Sequence, residues 1–301
     1  MTENWWEIRV NYIPELEDSV FWRLQEFGCQ GTALMKEEDN WLIKGYVPTI
    51  SIDTVDLAAL ALSLKQDFIM AGQEKPPVVT WQLINNEDWA SSWKQYWQPM
   101  DIGDRFSIYP AWIEPPENCD HKVALRDRII LRLDPGSAFG TGVHATTQLC
   151  LESLEMRIDE DEINLNIADI GCGSGILSIG ARLLGAKEVT AVDTDPLAVK
   201  ATKENSLLNQ VDNIKVFQGS IEEVKLQGQK FNGIVCNILA EIIKPMIPEM
   251  AEIIKPDGWV ILSGILVEQS NEIASILEQN GWAIAALWKR DNWCCLNARR
   301  S

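Results

Sequence analysis

From Ile167 to the C-terminus, short apolar strand patterns alternate with helical ones, and this regularity constrains the fold more than any other feature of the chain. NIADIG, KEVTAVD, IKVFQG, FNGIVCNIL and DGWVILSGIL read as strands, with helical stretches between them. Strands and helices in alternation build a mostly parallel sheet covered on both faces. The chain closes with WAIAALWKRDNWCCLNA, a hairpin-like pair around the turn KRDN. That hairpin is expected to add an antiparallel edge strand and bring the sheet to seven.

A different order precedes this region. WWEIRVNY (5–12) alternates like a strand, and PELEDSVFWRLQEFG (14–28) has helical spacing ended by Gly28. CQGTALM and NWLIKGYV read as strands joined by KEED. SIDTVDLAALALSLKQ reads as a helix capped by Ser51, and PPVVTWQLI as a last strand. The order β-α-β-β-α-β is that of a small ferredoxin-like α+β domain. In EDWASSWKQYWQPM, Trp89, Trp93 and Trp97 recur every four residues as one helical stripe ended by Pro99. Such a stripe suits core packing first and recognition second. The expected division is therefore 1–86 for the small domain, 87–100 for a helical linker and 101–301 for the α/β domain.

The 301 residues carry a formal charge of −18, spread over both halves: 15 acids against 7 bases in 1–98, and 29 against 19 beyond. So acidic a surface argues against nucleic-acid binding, which needs Lys and Arg on phosphates. It serves solubility, and it also attracts a basic partner. No apolar run approaches the roughly 18 residues that span a bilayer, and MTENWWEIRV has no secretory pattern. Seven cysteines without a C-x-x-C pair read as reduced thiols in a cytoplasmic protein. His121 and His144 are the only histidines, so a histidine metal site is not expected.

The sharpest motif is Asp169-Ile170-Gly171-Cys172-Gly173-Ser174-Gly175, between a strand and a helix. It departs from the dinucleotide fingerprint, because Ile176 stands where the third glycine belongs. A phosphate-cradling P-loop is absent too: no Gly-Lys-Ser/Thr occurs, and no lysine lies between Lys122 and Lys187. Asp193 ends the next strand, 22 residues beyond Gly171. A carboxylate there accepts hydrogen bonds from both hydroxyls of a ribose. Asp195 competes for the role, although its position suits a helix cap.

This pairing resembles the Rossmann-like class of S-adenosyl-L-methionine-dependent methyltransferases. The resemblance implies that the glycines make room for the methionine part of the cofactor, that Asp193 holds its ribose, and that Gln218-Gly219-Ser220 borders the adenine. Ser220 replaces an acid often found there. The fourth strand ends Cys236-Asn237-Ile238-Leu239-Ala240, where many amine methyltransferases have Asn-Pro-Pro-aromatic. A polar strand-end cap is the other reading of Asn237.

LDPGSAFGTGVHATTQLC (133–150) narrows the family. DPGSAFGTGVHATT, DIGCGSG, AVDTDP and CNILAEI, in that order, are similar to the ribosomal protein L11 methyltransferase family (PrmA), over nearly the whole chain. The resemblance implies that Thr147, Gly171, Gly173, Asp193, Ser220 and Asn237 contact S-adenosyl-L-methionine. It also implies that Phe139 and His144 line the pocket beside the methyl group, with Asn237 orienting the attacking nitrogen. His144 is equally placed to cap the following helix. The implied reaction is N-methylation of lysine side chains and the N-terminal α-amine of a basic ribosomal protein, L11, by a monomer needing no metal. Other readings are a methyltransferase for another protein or amine, and a non-catalytic nucleoside-binding protein on the same fold.

Overall fold

The computed structural model describes residues 4–29, 31–37, 40–50, 52–73, 75–85, 97–115, 128–134, 142–158 and 164–301. The chain divides into two compact units, Met1–Gln98 and Pro99–Ser301.

In the first unit, β1 (Asn4–Tyr12), β2 (Gly31–Glu37), β3 (Asn40–Pro48) and β4 (Val79–Asn85) form an antiparallel sheet ordered β2-β3-β1-β4. Helices α1 (Glu17–Glu26) and α2 (Thr54–Met70) complete the β-α-β-β-α-β order. Alternation in β1 directs Ile8, Val10 and Tyr12 into the core formed with Val20 and Leu24 of α1. Leu57, Leu60, Leu64 and Phe68 of α2, spaced three and four apart, join the same core. Burying each such side chain contributes about 1.5–3 kcal/mol.

The cap of α2 is Asp53, not Ser51. Asp53 Oδ1 accepts from the N–H groups of Val55 and Asp56, while Asp56 Oδ2 accepts from the Asp53 N–H. This reciprocal pair places the start of the helix two residues later than Ser51 would. Of the tryptophan stripe, Trp89 and Trp93 lie outside the described residues, and Trp97 is buried.

The opposite face of β1 carries Glu7, which is 2% exposed. Its carboxylate accepts from Arg9 Nε at 2.7 Å, Gln82 Nε2 at 2.9 Å and Tyr46 Oη at 3.1 Å, and faces Lys44 Nζ at 3.8 Å. Burial pushes the acid up, but the Arg9 hydrogen bond, the Lys44 and Arg9 charges and the Tyr46 hydroxyl outweigh it. The carboxyl is held below its ordinary value.

The second unit opens with a small sheet that the periodicity did not announce. It comprises β5 (Met100–Ile102), β6 (Phe106–Pro110) and β7 (Ile129–Leu133), with β5–β6 antiparallel and β6–β7 parallel. Strands of three to five residues are too short for an alternation signal to rise above chance. Helix α3 (Ala145–Arg157) follows.

The main sheet contains β8 (Asn166–Ile170), β9 (Glu188–Asp193), β10 (Ile214–Gln218), β11 (Phe231–Asn237), β12 (Ile254–Leu266), β13 (Trp282–Arg290) and β14 (Trp293–Arg300). Its order is β10-β9-β8-β11-β12-β14-β13. Helices α4 (Ile176–Leu184), α5 (Pro196–Leu208), α6 (Ile221–Leu226), α7 (Ala240–Ile253) and α8 (Ser270–Gln279) connect the strands. This is a Rossmann-like, seven-stranded α/β fold. The hairpin differs from expectation in one respect: β14 pairs antiparallel with both β12 and β13, so the antiparallel strand is interior and β13 is the edge. The crossover through α8 returns β13 in the sense of β12, and the hairpin folds β14 back into the gap between them.

Candidate active site

The strand order reverses at β8, with β9 and β10 on one side and β11 and β12 on the other. In open α/β sheets a ligand crevice forms outside the carboxyl ends of the strands at such a switch point. The residues leaving β8, β9 and β11 here are Gly171, Asp193 and Asn237.

Gly171 and Gly173 have φ of +79° and +55°, the left-handed region that disfavours a side chain. A Cβ on Gly171 would also overlap Ile238 Cγ2, so the loop runs hard against the end of β11. Gly171 and Cys172 N–H groups donate to the Val192 carbonyl at 2.8 and 3.0 Å. Gly173 N–H donates to Asp193 Oδ2 at 2.9 Å, and Asp195 N–H to Asp193 Oδ1 at 3.0 Å. Two backbone donors thus orient a half-buried carboxylate whose other lone pairs remain available to hydroxyl groups. Asp195 instead caps α5, accepting from Leu197 N–H at 2.8 Å with Pro196 at the first helical position. The structure separates the two competing acids into different jobs.

Beneath the loop, Asp169 is 1% exposed. Its Oδ2 accepts from Ser178 Oγ at 2.6 Å, and its Oδ1 is buried without a hydrogen-bond partner. Burial raises this carboxyl to about 7, with the Asp193 charge adding to the rise and the Ser178 bond opposing it.

On the other side of β8, Asn237 is buried and its Nδ2 points at Thr147 Oγ1, 3.4 Å away. Asn237 Oδ1 is buried and unpartnered. Such an atom costs about 1–3 kcal/mol unless a ligand supplies a donor. Thr147 lies fully buried in the first turn of α3, and His144 is the N-cap of that helix. His144 Nδ1 lies 2.8 Å from Thr146 Oγ1 and accepts from the Thr146 N–H, and its ring meets Trp293 edge-on at 5.0 Å. The structure shows the cap reading of His144: it caps the helix that carries Thr147. Ser220 begins α6, its N–H donating to Glu223 Oε2 at 2.6 Å. Phe139 lies outside the described residues.

Thiol chemistry has no foothold here. Burial pushes the Cys172 and Cys236 thiols far above their ordinary value, so neither supplies a thiolate. Among the described residues no group of three metal-ligating side chains converges.

Sequence reasoning passed over Ser178, Thr202 and Asn205, which hold the loop and the strand end before it from behind, and Asn209, which clamps β7 instead. Thr202 Oγ1 donates to the Gly173 carbonyl at 2.9 Å, and Asn205 Nδ2 to the Ser174 carbonyl at 2.9 Å. A polar stripe on a helix reads as a solvent face. Only the burial of Thr202 and Asn205 reveals otherwise.

Comparisons with known proteins give the family. Residues 4–301 match the family model described as ribosomal protein L11 methyltransferase (PrmA). A protein of Cyanothece sp. named ribosomal protein L11 methyltransferase is 50% identical over the full length of both chains. One of the same name from Thermosynechococcus vestitus is 48% identical, covering 99% of this chain and 98% of its own. A solved structure titled ribosomal protein L11 methylase, from Lactobacillus delbrueckii subsp. bulgaricus, is 35% identical. It superposes with a TM-score of 0.60, covering 68% of this chain and all of its own. The loop after β8, the strand-end acid Asp193 and the unpartnered Asn237 thus sit in a chain that belongs to the ribosomal protein L11 methyltransferase (PrmA) family.

Proposed function

We propose that this chain is an S-adenosyl-L-methionine-dependent protein N-methyltransferase acting on lysine side chains and the N-terminal α-amine of ribosomal protein L11. The observation that carries the reading is Asn237: a buried side chain with an orphan oxygen, at the end of β11 and beside the glycine loop. The residues present suit the cofactor. Gly171 and Gly173 leave room where side chains would intrude, Asp193 offers oriented acceptors to a ribose, and Thr147, Ser220 and Asn237 supply polar groups around it. Bound there, the cofactor supplies an electrophilic methyl group on a sulfonium.

The chain's own residues then align the amine and favour its neutral form rather than form covalent intermediates. A lysine amine titrates near 10.4 and an α-amine near 8, and each must be neutral to attack. Desolvation at an apolar mouth favours the neutral form without a strong base, a task that suits Ile238 and Leu239. Asn237 Oδ1 accepts a hydrogen bond from the incoming amine and points its lone pair forward. The family resemblance assigns Phe139 and His144 to the pocket beside the methyl group. A mouth made of Ile-Leu rather than a rigid Pro-Pro readmits mono- and dimethylated nitrogen.

Residues 1–86 serve as the substrate-recognition domain and 101–301 as the catalytic domain; of the expected 87–100 helical connector, 87–96 lie outside the described residues and 97–100 are not helical, Met100 already opening β5. The charge of −18 attracts a basic substrate protein to a monomeric, cytoplasmic enzyme.

The test is transfer of labelled methyl from the cofactor into a ribosomal-protein extract, with mass spectrometry of the labelled band and Asp193→Ala alongside. Label in L11 with the wild-type chain and none with the variant supports the reading. Label confined to other proteins, or unchanged in the variant, contradicts it.

A further inference from the structure

Among the described residues, strand β7 pairs with a strand, β6, on one side only, so its other edge carries backbone groups in need of partners. The odd-numbered residues face β6: Ile129 N–H donates to Arg105, and the Leu133 carbonyl accepts from Ala111 N–H. The even-numbered residues face α5. There Asn209 Oδ1 accepts from Arg132 N–H at 2.7 Å and Asn209 Nδ2 donates to the Arg132 carbonyl at 2.6 Å. One helical turn earlier, Asn205 Oδ1 accepts from Asp134 N–H at 2.9 Å and Asn205 Nδ2 donates to the Asp134 carbonyl at 2.9 Å. Each amide imitates a strand neighbour. The spacing allows it, since four helical residues rise about 6.0 Å and two strand residues about 6.6 Å.

The two asparagines are not equivalent. Asn209 spends its second N–H on the Asn205 carbonyl, within its own helix. Asn205 gives its second N–H to the Ser174 carbonyl, inside the glycine loop. Both of its donors meet carbonyls and its oxygen meets an N–H, which leaves one orientation of the amide. Because the peptide is planar and trans, fixing the Ser174 carbonyl also fixes the next N–H on the opposite side. Thr202, three residues before Asn205, fixes the Gly173 carbonyl in the same way.

We propose that Asn205 is a positioning residue for the methyl-transfer reaction: its single amide locks Asp134, where the D-P-G-x-A-F-G-T-G segment leaves β7, to Ser174 of the glycine loop. The spacing between Asp134 and the glycine loop is then set by one side chain. The assignment rests on the cofactor reading above.

The test is calorimetric titration of the full chain with S-adenosylhomocysteine, beside thermal melts. Asn205→Ala weakens binding about tenfold or more while the chain stays folded. Asn209→Ala, which breaks the same strand clamp one turn away, lowers the melting temperature comparably but changes the Kd less than about twofold. Asn205→Asp sets a carboxylate against two carbonyl oxygens and binds poorly at pH 8. As the pH falls it regains an O–H donor, so its Kd relative to wild type at the same pH recovers several-fold. Losses in Asn205→Ala and Asn209→Ala that simply track their melting temperatures overturn the assignment, as does a pH-independent Kd ratio for Asn205→Asp. Should Asn205→Ala fail to fold, the Asn205→Asp ratio decides alone. A wild-type chain that binds no S-adenosylhomocysteine overturns the cofactor reading itself, and this assignment with it. A wild-type chain that binds while Asn205→Ala keeps its Kd overturns the assignment only.

Discussion

Gly173 donates its N–H to Asp193 Oδ2 at 2.9 Å, so the glycine loop after β8 and the acid at the end of β9 behave as one unit. On the proposed cofactor reading, removing the carboxylate loses the acceptors for a ribose and releases the loop together. Hydrogen bonds to a charged group contribute about 1.5–3 kcal/mol each. Asp193→Ala should therefore weaken S-adenosylhomocysteine binding by about a hundredfold or more, measured by calorimetry. Asp195→Ala is the contrast. It removes a helix cap, costing about 1 kcal/mol of stability in denaturant titration and leaving the Kd near wild type. Equal effects on the Kd would mean the two acids are not divided as the structure divides them.

Gly171→Ala combines a left-handed φ with overlap on Ile238 Cγ2. The backbone term is about 1–2 kcal/mol, and the overlap adds to it. Cofactor binding should be lost in the single variant and partly restored in Gly171→Ala/Ile238→Ala, because the second change removes the overlap but not the strain. No restoration in the double variant would leave the close approach of these residues without consequence.

Asp169 makes stability depend on pH. Its folded value of about 7 lies above the unfolded value of about 3.9, so the folded state holds a proton that the unfolded state has released. The contribution is fully present below about pH 4 and is lost as the pH rises through about 7. Asp169→Asn lacks this titration. Its melting temperature relative to wild type should rise between about pH 4 and 7 and level off above. A flat difference across that window would show that Asp169 is ionised throughout.

Glu7 works in the opposite sense. Its folded value is depressed, so its contribution is present above the unfolded value of about 4.3 and disappears as the pH falls through the folded one. Glu7→Gln removes the carboxylate facing Lys44 and Arg9 within a buried network and should cost about 3 kcal/mol near neutrality. Hydrogen exchange at Ile8 and Ile43 reads the loss locally, and the deficit should shrink below about pH 4. An undiminished deficit in acid would assign the effect to packing instead.

What was legible in the sequence follows from how each signal arises. The main-sheet strands show because their apolar runs, five-residue β8 and β10 included, alternate regularly with helices, and the α+β unit shows through its own alternation. The interior position of β14 was not legible, since a hairpin's strand periods do not say which member pairs inward. Asp193 and Asn237 stand out in the sequence because each ends a strand, and Gly171 because it directly follows one in a glycine-rich motif. Asn205 and Asn209 were not, because polar residues at helical spacing look like a wet face until β7 is seen against them. The cap of α2 was misplaced by two residues because Ser51 and Asp53 are both good caps, and only the Asp53–Asp56 reciprocity decides between them.

The central claim is tested most directly by incubating purified L11 from the same source with this chain and S-adenosyl-L-methionine, then mapping the product by mass spectrometry. The account predicts mass increments of whole methyl groups on lysine ε-amines and the N-terminal α-amine, including more than one methyl per nitrogen, and their loss with Asn237→Ala. Unmodified L11, from a chain that demonstrably binds S-adenosylhomocysteine, would contradict it.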